Sequence, residues 1–116
     1  MASVFVNKKV DLTSDATTTL YTVPSATTAI IKSILVSDDS GSGSSITVTI
    51  TNTSDAVFSI VHQRDIPADA AAGPVDLLSN SLIVESGEII KVSAASANRL
   101  HVILSAMEVT PRNVVT

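Results

Sequence analysis

The chain has no cysteine and no tryptophan, and only one tyrosine and two phenylalanines among 116 residues. Without cysteine, thiol catalysis, redox switching, Cys-ligated zinc and disulfide staples are all excluded. Phe5, Tyr21 and Phe58 are its whole aromatic content, 3%, so it has few of the stacking platforms that grip sugars or single-stranded nucleic acid. Basic residues are also scarce, 7 Lys and Arg against 11 Asp and Glu. The net charge of −4 and a pI near 4.8 argue against a phosphate-backbone partner and are in keeping with simple solubility. No apolar run approaches the roughly 20 residues that a membrane-spanning helix needs. At the start, Lys8 and Lys9 follow a short apolar stretch, the reverse of a signal peptide's order. The expectation is a product made and kept in a cytoplasm, or assembled there into something larger.

What is present is β-branched. Val, Ile and Thr make up about a third of the chain, and such side chains suit a pleated, half-buried surface. A chain of this length buries roughly two-thirds of its unfolded surface, enough for one core without staples. Apolar and polar residues alternate at period two, and turn residues interrupt them every 8–12 positions or so, as in a sandwich or barrel. The clearest segment is Ile46-Thr47-Val48-Thr49-Ile50-Thr51, with Ile46, Val48 and Ile50 on one face and the threonines on the other. Further strands are expected over 4–10, 17–22, 29–36, 56–62, 81–85, 88–94 and 99–109, about seven or eight in all. Residues 66–74, with two prolines and Gly73, read as the longest loop. Residues 1–15 are expected as an N-terminal arm or edge strand, 16–110 as the β domain, and 111–116 as a tail.

Some of these strands are apolar on both faces. Ile30, Ile34 and Val36 oppose Ile31 and Leu35, and Leu100, Val102 and Leu104 oppose Ile103, Met107 and Val109. A sheet with one wet face has no need of this. Either the 66–74 loop or the N-terminal arm covers the surplus, or sister subunits do. The chain has little else to cover it with, which makes Ile31, Leu35, Ile103 and Met107 the candidates for self-association.

No constellation points to catalysis. His62 and His101 are far apart in sequence and lack metal-ligand spacing. Asp38-Asp39-Ser40-Gly41-Ser42-Gly43 lacks the alternating acids and closing Glu of a calcium loop. Gly41-Ser42-Gly43-Ser44 is followed by no lysine and no helix, so it is no phosphate cradle. There is no Gly-x-Ser-x-Gly elbow. Glu85 and Glu88 flank a turn without the aromatic cleft of a glycosidase, and Asn52-Thr53-Ser54 reads as a turn. The expectation is a structural protein that is not an enzyme and has no metal and no cofactor.

Two longer segments carry a resemblance. Leu20-Tyr21-Thr22-Val23-Pro24-Ser25-Ala26-Thr27-Thr28-Ala29-Ile30-Ile31-Lys32-Ser33-Ile34-Leu35-Val36-Ser37 resembles the "LYTVPAGTTAIVKSIRVSN" opening of small virion proteins of tailed bacteriophages. Leu82-Ile83-Val84-Glu85-Ser86-Gly87-Glu88-Ile89-Ile90-Lys91-Val92-Ser93-Ala94-Ala95-Ser96-Ala97-Asn98 is similar to their "LVLEAGDTIKVSASSAN" segment. The likeness runs from about Leu20 to Val109, with Ser25, Ser86, Glu88 and Leu35 as its departures. The last of these adds apolar surface where a polar or basic residue is usual.

The resemblance implies an antiparallel β-sandwich of jelly-roll type in a tailed-phage particle. One placement is a capsid decoration (cement) protein on the outside of the head. There it is often a homotrimer, and it clamps neighbouring major capsid proteins. The other is a tail, neck or fibre component with a receptor- or glycan-binding role. For capsid docking the candidates are Val4, Phe5, Lys8 and Lys9. Neither nucleic acid nor a membrane is an expected partner.

Overall fold

The period-two segments form nine antiparallel strands in a computed structural model, which describes residues 2–38, 42–66 and 74–110. They are β1 (Ala2–Asp11), β2 (Thr18–Thr22), β3 (Thr28–Asp38), β4 (Ser44–Thr51) and β5 (Val57–Ile66). After these come β6 (Val75–Asp76), β7 (Leu82–Val84), β8 (Ile89–Ala94) and β9 (Leu100–Thr110). There is no helix among the described residues. The expected loop over 66–74 and tail over 111–116 fall largely outside them.

One sheet runs β1-β9-β3-β6, with β7 pairing to β3 beside β6, and the other runs β2-β8-β4-β5. The first strand therefore pairs with the last and the second with the next to last. In turn β3 pairs with β6 and β7, and β4 with β5. A long antiparallel hairpin rolled into two facing sheets in this order is a jelly roll.

The core lies between the sheets. Ala29, Ile31, Ile34, Val36, Leu100, Val102 and Leu104 face inward from one sheet, and Ile46, Val48, Ile90, Val92 and Ala94 from the other. Val84 closes one end of this core, and Ile50 is half-buried against it.

Ile31 requires a correction. Strict alternation through 29–36 groups it with Leu35 on the outer face, yet it is fully buried. The cause is a β-bulge: the β3–β9 register shifts between Ile31 and Ser33, at Lys32. One extra residue inverts the phase of everything beyond it. Ile31, Ile34 and Val36 consequently share the inner face. Ile31 belongs to the core and is withdrawn from the self-association set.

Residues 20–37 and 82–98 meet in space. Val23 N donates to Glu88 O at 3.0 Å, Gly87 N to Val23 O at 3.0 Å, and Ala26 N to Ser86 Oγ at 3.1 Å. The β2–β3 turn and the β7–β8 turn thus form one hydrogen-bonded corner.

Candidate interaction surface

The registers of β1, β9, β3, β6 and β7 determine what stands side by side on the outer face of their sheet. Phe5 pairs with Met107, Met107 with Ile30, and Ile30 with Ile83, giving an apolar row across four strands. Phe5 is 79% exposed and Ile83 64%, so the row opens to solvent at both ends. Asn7, Ser105 and Ser33 form the next row, which is polar. A third row is Lys9, Ile103, Leu35 and Asp76, with a cation at one edge, an acid at the other and two aliphatic residues between. Asp11, His101 and Ser37 complete the series.

Of the self-association candidates, Leu35, Ile103 and Met107 lie together on this face. The four docking candidates divide. Phe5 and Lys9 belong to the outer face, whereas Val4 and Lys8 fall on the alternate side of β1, shared with the half-buried Val6 and Val10. All four are exposed, because β1 is the edge strand. Sequence reasoning missed Ile30 and Ile83, whose place in the row depends on strand pairing, and Asp76, which sits on a strand of two residues.

The other titratable candidates do not converge. His62 lies on β5 in the opposite sheet. His101 Nε2 lies 3.4 Å from Asp11 Oδ1. The row of Asp11, His101 and Ser37 has the composition of a catalytic triad. However, the nitrogen that a triad turns towards its nucleophile here faces the acid. Glu88 is a turn residue: its Oε1 accepts from Glu85 N at 2.8 Å across the Ser86-Gly87 turn. Asn52 Oδ1 accepts from Ser54 N and Ala56 N, both at 2.9 Å, which makes its segment an Asx-type turn. Among the described residues no group of three or more His, Asp or Glu could hold a metal ion.

A shallow groove of about 390 Å³ lies on the outer face of the other sheet, between Thr47, Thr49, Thr51, Lys91 and Ser93. The buried Thr51 hydroxyl there has no hydrogen-bond partner among the described residues.

Fold and surface together define a small jelly-roll sandwich that presents an apolar sheet face. No protein-family model matches this chain, and no curated protein matches it.

Proposed function

We propose that this is a structural protein of a tailed-bacteriophage virion, made in the host cytoplasm and carried on the outside of the head as a decoration protein. The observation that carries the reading is the outer face of the β1-β9-β3 sheet, a broad surface of apolar rows with a shallow depression of about 290 Å³ beside Lys9, Asp11, His101 and Ile103. Such a face suits adhesion. The corner where the β2–β3 and β7–β8 turns meet adds support, because the phage-like segments become one structural unit there.

The partner on this reading is the major capsid protein. A shell under internal pressure is strengthened by a protein that buries surface on several subunits at once, and each contact can be modest if a homo-oligomer makes them together. Docking falls to the side of the β1 edge that carries Val4 and Lys8. The second reading, a tail or fibre module that binds a receptor or glycan, draws on the Thr- and Lys-lined groove of the other sheet.

The test is to add purified protein to heads that lack it, then sediment the particles and image them by electron microscopy. Density at regular positions on the head surface, lost with a Val4→Asp/Lys8→Glu variant, is the expected result. Binding confined to tails would select the second reading, and binding to neither would end both.

A further inference from the structure

We infer that the outer face of the β1-β9-β3-β7 sheet is covered by the same face of a second copy. The two copies are related by a two-fold axis running between β9 and β3, parallel to the strands. The order of residues within the rows favours this pairing. Such an axis lays each row on itself in reverse, so the first strand of one copy covers the fourth of the other. Phe5 then meets Ile83 of the second copy and Met107 meets Ile30. In the parallel row Ile103 meets Leu35, and Lys9 at one edge meets Asp76 at the other. A single operation matches apolar with apolar in both rows and places opposite charges together at both rims. Self-complementarity of this kind is the mark of an isologous contact.

The polar row maps onto itself as well, Ser105 over Ser33. Lys32, the bulge residue between the apolar rows, is exposed, and a lysine stem can lie along such a surface while its ammonium stays in water. Ten residues of β1, eleven each of β9 and β3, and five of β6 and β7, at about 3.4 Å per residue and about 4.8 Å between strands, give a face of roughly 600 Å². Standard interfaces begin at about 600 Å² from each partner, so the face is of adequate size for a stable pair. Two sheets packed face to face at about 10 Å, with strands within about 30° of each other, form a common arrangement.

A three-fold ring, by contrast, is built from two different faces, and this face already complements itself. The pairing also divides the β1 residues: Phe5 and Lys9 go to the second copy, and Val4 and Lys8 remain for another partner. It stands apart from the virion reading, since a pair that never binds a head would keep this inference and remove that one.

The test is sedimentation of wild-type protein and of charge-reversed variants at low salt. The wild type should be a dimer at micromolar concentration. Lys9→Glu puts acid against acid at both rims and should weaken the dimer about tenfold or more, and Asp76→Lys should do the same with bases. An equimolar mixture of the two variants should recover it, because in the mixed pair every acid meets a base. Met107→Asp should dissociate the dimer while circular dichroism still reports a folded sandwich. A wild-type monomer or trimer overturns the inference, as does a dimer whose affinity ignores both charge reversals or whose variants fail to recover on mixing.

Discussion

The phenol of Tyr21 on β2 donates a hydrogen bond to Glu108 Oε2 on β9, joining the two sheets through residues 87 positions apart. Tyr21 is only 2% exposed. Its burial, and then the hydrogen bond to Glu108 and that group's charge, push the phenol well above the ordinary tyrosine value of about 10. The folded chain therefore holds this proton more tightly than the unfolded chain does. The resulting stability is complete below about pH 10 and is lost as pH rises through the folded-state value. Because this is the single tyrosine and there is no tryptophan, phenolate absorbance reports it alone. An alkaline titration should show no phenolate at the usual pH, then ionisation together with unfolding. Tyr21→Phe should cost about 1–3 kcal/mol near neutrality by stranding the Glu108 acceptor. Free titration near pH 10 in the folded protein would contradict this account.

Much of the fold is legible in the sequence because nearly every strand has one inward face. Ile46, Val48, Ile50, Val84, Ile90, Val92, Val102 and Leu104 are read as core from alternation, and all are buried except Ile50, which is half-buried against the core. Alternation fails at Lys32, since a bulge leaves no mark in a run of β-branched residues and inverts the phase of those beyond it. It also fails for β6, where two residues are too few to show a period. The interaction surface was half visible. Apolar residues on both sides of β3 and β9 announce a covered outer face, but its rows require the pairing of strands up to about 100 residues apart, such as Phe5 with Met107. The Tyr21–Glu108 bond was invisible for the same reason.

The β7–β8 turn should be sensitive to a single methyl group. Gly87 has φ +82°, a conformation that side chains disfavour, and a Cβ there would lie 2.9 Å from Thr53 Cγ2 in the β4–β5 turn. Gly87→Ala combines backbone strain with a clash and should cost more than about 1 kcal/mol. Adding Thr53→Ala removes the clash and leaves the strain, so the double variant should regain part of the loss but not all of it. Urea unfolding midpoints at constant slope measure both steps. Full recovery would show that φ contributes nothing here, and no recovery would show that the clash does not matter.

The β2–β3 turn offers the converse case, a substitution that should strengthen the fold. Ala26 sits at φ +56°, where an L-residue pays roughly 1–2 kcal/mol relative to right-handed geometry. Glycine adopts that geometry without the penalty. Ala26 is exposed, so removing its methyl loses no packing, and its N–H can still reach Ser86 Oγ. Against the gain stands the extra freedom of glycine in the unfolded chain, about 0.5–1 kcal/mol. The balance should favour Ala26→Gly by about 0.5 kcal/mol, a rise of roughly 2–4 °C in Tm. Asn98, also left-handed at φ +60°, is the control. Asparagine tolerates this region far better than alanine, so Asn98→Gly relieves little strain while the unfolded chain gains the same freedom, and stability should be unchanged or lower. Calorimetry of both variants decides the matter: a rise for Ala26→Gly with none for Asn98→Gly is expected. A fall in both would mean that the unfolded chain, and not strain in the turn, governs these two positions.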